Sequence, residues 1–346
     1  MIKAVLGLIC CLLMVAPLSV QAIGAKPEAM QEDEAALVGM YASGGTGFVV
    51  READGQLQVV YPDLRSSGYE AKEGKNGILP MKKEHYDVYT LLKMKSPFME
   101  GDTLSFERDN QGRGSSIKID EINFNRRFTG NEGGKPFRLT LDKPLKELRE
   151  EAKKALPPHK PYQATAKLVE LRTVVPALHY DLRYTTDNNL FGAVLVASHN
   201  AYLDEKAAQA LAKVQAKLQT YGYGLTVWEA YRSWEDFKVA TLALGEKNKS
   251  MLPRATEGYS HNTGRSIDVS LYALDTGELA DMPCDFDEIT PAQYSDYLGG
   301  TSLQRWYRDL LKEQMESEGF TQSKDEWWHF DYDSKVPYQI LNVVVK

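Results

Sequence analysis

The sequence predicts an α+β protein, in which a small all-β barrel or sandwich precedes a domain with a mainly antiparallel sheet flanked by helices. From residue 36 to about 130, β-prone runs alternate with turn residues, and helical periodicity is absent. From residue 165 onward, helices and strands are mixed without the strict alternation of a doubly wound fold. Between them, the run Pro157-Pro158-His159-Lys160-Pro161 stops any helix. We therefore predict an accessory β domain at 36–130, a linker with a helix at 131–164, and a second domain at 165–346.

Residues 1–22 have the pattern of a secretory signal peptide. Lys3 gives a positive start, residues 4–15 are almost wholly apolar, and Val20-Gln21-Ala22 supplies small residues before a cleavage point. The apolar run is shorter than the ~20 residues that span a bilayer. We expect an exported protein, periplasmic or secreted, with no stable membrane span after cleavage. Residues 23–35 are polar and charged, and they predict a tether.

The composition is typical of a soluble protein and argues against nucleic-acid binding. Among the 346 residues, 43% are hydrophobic and 26% are charged, as in ordinary soluble domains. The formal net charge of −7 argues against a nucleic-acid surface, which is usually basic. After signal cleavage Cys284 is the sole cysteine, so no intramolecular disulfide is expected. Cys284 is interpreted as a packing residue, not a nucleophile.

The β domain begins with a predicted hairpin. Phe48 to Arg51 and Leu57 to Tyr61 are β-prone runs on either side of the turn pair Asp54-Gly55. Further strands are predicted at 85–92, 103–108 and 116–123, the last two joined by a turn at 109–112. The region resembles the small lipocalin-like β domains appended to some bacterial hydrolases, which implies an accessory or ligand-binding role. A stabilising domain without a site is the alternative. The motifs that carry this resemblance are Gly39-x-Tyr41, Asp54-Gly55-x-Leu57, Leu79-Pro80, Leu104-x-Phe106-x-Arg108-Asp109 and Phe124-x-Arg126-Arg127.

The second domain has a mixed order of elements. Asp204 is a candidate N-cap for a helix with a regular apolar face, and Ser233 opens the next helix as a capping residue. The apolar face of a third helix runs from Leu303 to Met315, and Gly319 ends that helix. Strands are predicted at 168–175, 225–228, 267–271, 327–332 and 340–345.

Two histidines and an aspartate are candidate metal ligands. His261 precedes a predicted turn and Asp268 lies on the strand after it, so both side chains can face one point. Imidazole and carboxylate are usual Zn²⁺ donors, but this spacing alone also fits a solvent-facing aspartate. His329 can add a second imidazole, and Glu326 can act as the proton carrier for a metal-bound water. The alternative for this pair is a capping acid and a core histidine.

Glu326 has a geometric condition to meet, and Arg232 is a further candidate. Positions three apart on a regular strand point to opposite faces, so Glu326 can approach a metal held by His329 only if the strand bends or begins between them. Arg232 follows a predicted strand, where a guanidinium can stabilise an oxyanion or bind a substrate carboxylate. A structural salt bridge is the alternative for Arg232.

Five segments of the second domain form a recognisable series. The segments are Asp181-Leu182-Arg183-Tyr184-x-Thr186-x-x-Asn189, Trp228-x-Ala230-Tyr231-Arg232, Ser260-His261-x-x-Gly264-x-Ser266-x-Asp268, Asp285-Phe286 and Glu326-Trp327-Trp328-His329-Phe330. Their order resembles that of the zinc D-alanyl-D-alanine dipeptidases of the VanX type, within the zinc D,D-peptidases. The resemblance covers roughly residues 165–346, and its histidine-to-aspartate and Glu-Trp-Trp-His motifs are specific in combination.

The resemblance implies one Zn²⁺ per chain, a general base and an oxyanion-stabilising residue. It implies His261, Asp268 and His329 as metal ligands, Glu326 as the base and Arg232 as the oxyanion partner, with Asp285, Tyr231 and Ser260 binding substrate. Asp285 would receive the substrate's free ammonium group. Departures from the usual pattern at Leu190, Ser266 and Cys284 concern the pocket lining, and therefore substrate preference more than metal binding.

These observations predict a secreted zinc metallopeptidase that hydrolyses D-alanyl-D-alanine. Its expected partner is a small D,D-dipeptide or a peptidoglycan-derived peptide, and no nucleic acid. Two alternatives stay open at this point. One is a peptidoglycan D,D-carboxypeptidase or endopeptidase of the same metal class. The other is a non-catalytic binding protein that contains zinc.

Overall fold

The computed structural model describes residues 23–61, 77–93, 98–135, 138–251, 260–333 and 335–345. The predicted signal peptide, residues 1–22, lies outside them. None of the helices formed by the described residues has both the length and the apolar character that a bilayer crossing requires.

Eight antiparallel strands close a barrel in sequence order, with β1 paired to β8. The predicted α+β fold with a preceding all-β domain is confirmed. At the turn of the predicted hairpin, Asp54 and Gly55 both have positive φ, and Ala53 pairs with Gln56. The strands are β1 Gly39–Ser43, β2 Thr46–Ala53, β3 Gln56–Tyr61, β4 Gly77–His85, β5 Val88–Leu91, β6 Thr103–Arg108, β7 Gly114–Ile119 and β8 Ile122–Arg127.

The predictions of single strands over 85–92 and over 116–123 are both wrong, because each range contains a hairpin turn. Ile119 ends β7 and β8 begins at Ile122, with Asp120 in a left-handed conformation (φ 51°) between them. His85 ends β4, and β5 begins at Val88, because Asp87 takes a left-handed conformation (φ 57°) that turns the chain. The barrel interior is filled by side chains, among them Tyr41, Phe48 and Phe106. Tyr41 meets Phe106 edge to face, with ring centroids 5.9 Å apart. The described interior of the barrel is therefore a packed core.

The second domain is built on a five-stranded sheet in the order β10-β12-β13-β15-β14, in which only the β10–β12 pair is parallel. A separate two-stranded sheet joins β9 to β11. The strands are β9 Leu168–Glu170, β10 His179–Tyr180, β11 Tyr202–Asp204, β12 Tyr223–Glu229, β13 Ser266–Ala273, β14 Phe320–Gln322 and β15 His329–Tyr332.

Six α-helices accompany these strands in the described part of the chain. Ser233 caps α5 by accepting a hydrogen bond from the Asp236 amide, and Thr301 and Gln304 form a capping box on α6. Gly319 follows α6 with φ 91°. The helices are α1 Glu32–Ala35, α2 Leu145–Ala152, α3 Leu171–Val174, α4 Glu205–Gln219, α5 Trp234–Ala243 and α6 Ser302–Glu316.

Two strand predictions in this domain are wrong. The predicted strand 168–175 ends at Glu170, and α3 takes up most of the remainder. Residues 340–345 join no sheet of the described residues, despite their β-prone sequence. Val343 instead bonds to a side chain: its amide donates to the Tyr231 hydroxyl (2.9 Å), which donates in turn to the Val343 carbonyl (3.0 Å).

The segment predicted as a tether lies against the second domain. The Gly24 carbonyl accepts a hydrogen bond from Trp306 Nε1 (2.9 Å), and Lys26 Nζ donates to the Tyr223 hydroxyl (2.7 Å). The barrel also bonds directly to the second domain. The carboxylate of Glu52, buried at the end of β2, accepts from the amide (2.6 Å) and hydroxyl (3.0 Å) of Ser302. Glu52 thereby satisfies a free amide at the start of α6.

Candidate active site

The structure brings His261, Asp268 and His329 together in the second domain. All three are buried, with exposures of 0%, 3% and 4%. Asp268 Oδ1 is 2.8 Å from His329 Nδ1 and 3.3 Å from His261 Nε2, and the two imidazole nitrogens are 3.2 Å apart. One donor atom from each residue lies within 4.8 Å of the others. The three atoms can therefore share one ion.

Strand pairing produces this convergence. Asp268 on β13 lies directly opposite His329 on β15 in the antiparallel ladder. The 3₁₀ turn Ser260–Thr263 immediately before β13 carries His261, and Gly264 closes the turn with φ 74°. A side chain at Gly264 would collide with Leu168, since an added Cβ would lie 2.5 Å from its Cδ2. Sheet register and one tight turn thus bring together candidate ligands that are 61 and 68 residues apart in sequence.

In each imidazole, the ring nitrogen that points away from the cluster has a hydrogen-bond partner. His261 Nδ1 lies 2.6 Å from the Ala230 carbonyl, which can only accept, so Nδ1 carries the proton and Nε2 presents its lone pair to the cluster. His329 Nε2 lies 3.2 Å from Asp331 Oδ1 and 3.2 Å from Ser260 Oγ, which leaves Nδ1 toward the cluster. Such partners fix the tautomer and the ring orientation of metal-binding histidines.

The cluster is strongly polarised. Burial pulls the pKa of Asp268 up, but the two imidazoles outweigh it and hold that pKa well below its usual range. Burial lowers the pKa of His261 and His329, yet the facing carboxylates raise both values above the ordinary histidine range. The site therefore favours a positive charge among its side chains, which a divalent cation can supply instead of protons.

A pocket of about 300 Å³ adjoins the cluster. Its wall includes Asp268, Glu326, Arg232 and Asp287. Glu326 lies in the turn before β15, and its carbonyl accepts a hydrogen bond from the His329 amide (3.3 Å). β15 begins at His329, so Glu326 precedes the strand. The alternation of a regular strand therefore does not apply between the two residues, and Glu326 can line the same pocket as the candidate ligands.

Arg232 lies just beyond the end of β12 and is buried. Its Nε and Nη2 atoms both donate to the carboxylate of Glu229. The guanidinium carbon also lies 4.3 Å from the centre of the Tyr184 ring. These contacts hold the guanidinium in one orientation at the pocket wall.

Three residues that were predicted to bind substrate do not line this pocket, as far as the described residues show. Asp285 accepts two hydrogen bonds from the Arg183 guanidinium (3.2 and 2.9 Å), so its carboxylate is used within the fold. The hydroxyl of Tyr231 is bonded to the backbone of Val343. Ser260 lies behind His329, where its hydroxyl meets the outer nitrogen of the ring.

One of the acids that line the pocket is Asp287, two residues after the predicted Asp285. The Tyr184 hydroxyl donates to Asp287 Oδ2 at 2.6 Å. Loss of water around the carboxyl raises the pKa of Asp287 to about 7, and the nearby carboxylate of Glu326 adds to the rise. The sequence Asp285-Phe286-Asp287 contains both acids, so the pattern offered Asp287 as well. Glu229, the partner of Arg232, was also missed, although an acid three residues before an arginine is a visible signal.

A family model described as D-ala-D-ala dipeptidase matches residues 164–346. The chain belongs to this family. It is similar to a D-alanyl-D-alanine dipeptidase of Enterococcus faecalis, with 32% identity over 194 residues that cover 51% of this chain and 96% of that protein. A D-alanyl-D-alanine dipeptidase of Escherichia coli is 28% identical over 177 residues, covering 51% of this chain and 90% of its own.

A third relative, the D-alanyl-D-alanine dipeptidase of Enterococcus faecium, is 29% identical over 178 residues, covering 46% of this chain and 88% of its own length. Membership of the D-ala-D-ala dipeptidase family makes the chain a hydrolase. The matched residues include the His261–Asp268–His329 cluster and the pocket, whereas the barrel precedes them.

Proposed function

We propose that the chain is an exported zinc dipeptidase that hydrolyses D-alanyl-D-alanine to two molecules of D-alanine. The observation that carries this proposal is the buried His261–Asp268–His329 cluster beside a small pocket that also contains Glu326. Export rests on the signal-peptide pattern of residues 1–22.

The donor set fits Zn²⁺. Two imidazole nitrogens and one carboxylate oxygen match catalytic zinc sites, which keep a further position open for water or substrate. The tautomers inferred for both histidines present lone pairs to the same point. When bound, Zn²⁺ supplies a Lewis acid that lowers the pKa of water and polarises a carbonyl oxygen.

Glu326 is the proposed general base. Its carboxylate lines the same pocket as Asp268, which supports a role in proton transfer at a water held beside the ligand cluster. Glu326 accepts the proton of the attacking water and then delivers it to the departing amine of the second D-alanine. One carboxylate thus serves both proton transfers.

Arg232 is the proposed partner of the negative charge that develops on the carbonyl oxygen. A donor that is already oriented stabilises this charge without rearrangement during the reaction. The Glu229 carboxylate and the Tyr184 ring provide that orientation.

Asp287 is the proposed receptor for the free ammonium group of the dipeptide. It replaces Asp285 in this role, because Asp287 lines the pocket and Asp285 is paired with Arg183. The pocket volume of about 300 Å³ suits a small ligand. An acid at the amino end favours a dipeptide over a longer D,D-peptide, whose amino group is acylated and uncharged.

The test combines metal analysis with a panel of alanyl-alanine stereoisomers and N-acetyl-D-alanyl-D-alanine. We expect about one Zn²⁺ per chain, D-alanine release from the free D,D-dipeptide, and loss of that release in Glu326→Gln with metal content retained. Equal hydrolysis of the acetylated dipeptide would favour a D,D-carboxypeptidase or endopeptidase. Metal binding without hydrolysis of any member would favour a binding protein.

A further inference from the structure

Asp287 has a backbone conformation that needs support. Its φ of 54° lies in the left-handed region, which is unfavourable for most residues with a Cβ, although aspartate tolerates it better than most. Asp54, Asp87 and Asp120 share this conformation in hairpin turns of the barrel, and Asp333 shares it just after β15. Asp287 lies at the active-site pocket instead. Strain of this kind persists only when surrounding contacts hold it.

Contacts from the barrel hold the segment that carries Asp287. We call residues 282–288 the acid segment and residues 129–132, which follow β8, the brace. Asn131 Nδ2 donates to the Met282 carbonyl at 2.9 Å, and the Gly130 amide donates to Glu288 Oε2 at 2.7 Å. The brace therefore contacts the acid segment at both ends, with Asp287 directly beside the second contact.

The brace is fixed to the barrel by its own hydrogen bonds. The carboxylate of Glu132 accepts from the Thr129 amide (2.8 Å) and from Arg126 Nη2 of β8 (2.8 Å). The Thr129 hydroxyl donates to Asn131 Oδ1 (2.6 Å), which directs the amide nitrogen of Asn131 toward Met282. Hydrogen bonds thus connect a barrel strand, through the brace, to Met282 and to Glu288, the residue after Asp287.

The peptidase domain supplies further supports of the acid segment. Arg183 binds the Asp285 carboxylate, and the Tyr184 hydroxyl binds that of Asp287. These contacts hold side chains, whereas Asn131 holds the backbone at Met282. Glu288 is buried, with an exposure of 6%, so its bond to Gly130 is shielded from water.

We propose that the barrel is a positioning element of the active site: its brace holds the acid segment so that Asp287 faces the ammonium group of the substrate. The inference rests on the proposed role of Asp287 in dipeptide binding. It assigns the accessory domain a task within the reaction, although the family match begins only at residue 164.

The test uses the full chain with zinc and the double variant Asn131→Ala/Glu288→Gln. The matched control is Glu52→Gln, which weakens a different contact between barrel and peptidase domain, at Ser302. We expect KM for D-alanyl-D-alanine to rise about tenfold in the double variant, with kcat within about threefold and zinc content unchanged. In Glu52→Gln we expect the melting temperature to fall and KM to stay within about twofold.

Hydrogen–deuterium exchange gives a readout that does not depend on activity. Amides of the acid segment should exchange faster in the double variant than in wild type, and at the wild-type rate in Glu52→Gln. Unchanged KM and unchanged exchange in the double variant would overturn the proposal. An equal rise of KM in the control would also overturn it, because any loosening of the interface would then suffice.

The Asp287→Asn variant separates this proposal from the proposed function. If Asp287→Asn leaves KM unchanged, the role of Asp287 in substrate binding is wrong, and exchange alone then decides whether the brace orders the segment. If Asp287→Asn raises KM but the double variant does not, the brace is not a positioning element and the ammonium site stands.

Discussion

Replacing Asp287 with asparagine should weaken substrate binding while stabilising the metal-free protein. The change keeps the side-chain shape and an oxygen that can accept the Tyr184 hydrogen bond, but it removes the charge. A hydrogen bond to a charged group is worth about 1.5–3 kcal/mol. Losing the charge should therefore reduce kcat/KM for D-alanyl-D-alanine roughly 10- to 150-fold, mainly through KM.

The stability change has the opposite sign and depends on pH. Burial raises the pKa of Asp287 to about 7 in the folded chain, above the value of an unfolded aspartate near 4. The wild-type protein therefore loses stability as pH rises from about 4 to about 7, because folding opposes ionisation. Asparagine does not ionise. The gain in unfolding free energy of Asp287→Asn over wild type should therefore be smallest near pH 4 and reach its maximum above pH 7. Thermal melts of chelator-treated protein across this range measure it.

Asp285→Asn is the matched control, since it makes the same change two residues away. It should lower the melting temperature, because Arg183 loses an ionised partner. It should raise KM less than Asp287→Asn does, because Asp287 keeps its charge and the brace still holds the segment. A large rise of KM in Asp285→Asn with no effect in Asp287→Asn would refute the assignment. That result would support Asp285, the acid in the sequence motif, as the residue that binds the ammonium group.

Three further perturbations test the other parts of the site. Asp331→Asn should weaken zinc affinity about 10- to 100-fold, because His329 loses the carboxylate that orients it; competition with a chelator measures this affinity. Glu326→Gln should lower kcat by about 10²- to 10⁴-fold with unchanged zinc content, and loss of zinc would contradict a role as base. Glu229→Gln should lower both the melting temperature and kcat/KM, since Arg232 loses a buried ionic partner; wild-type kinetics would show that Arg232 needs no such orientation.

The sequence predicted the elements whose signals are local. The Asp54-Gly55 turn and the Ser233 cap were found because each is encoded within a few residues. The predicted strand over 85–92 was wrong, because the β-prone character of this run does not show that the chain turns at Asp87. Residues 340–345 have the apolar pattern of a strand, but pairing depends on neighbours that the segment itself does not specify.

The candidate ligands could be named from motifs, but their convergence depends on strand register. Asp268 faces His329 because β13 and β15 pair in one particular alignment, which spacing in the sequence does not determine. Asp285 was named because the family resemblance includes the Asp285-Phe286 motif. Strand alternation alone treats positions 285 and 287 as equivalent. The left-handed backbone at Asp287 and the Arg183 pair at Asp285 break that equivalence, and both arise from tertiary structure.

The most direct test of the central claim is a crystal structure of the zinc-loaded protein with anomalous diffraction recorded at the zinc edge. We expect one strong peak within about 2.0–2.2 Å of His261 Nε2, His329 Nδ1 and a carboxylate oxygen of Asp268, with the Glu326 side chain facing the same pocket. A zinc-loaded crystal with no peak among these three atoms, or with its peak elsewhere on the chain, would contradict the proposed metal centre and the mechanism built on it.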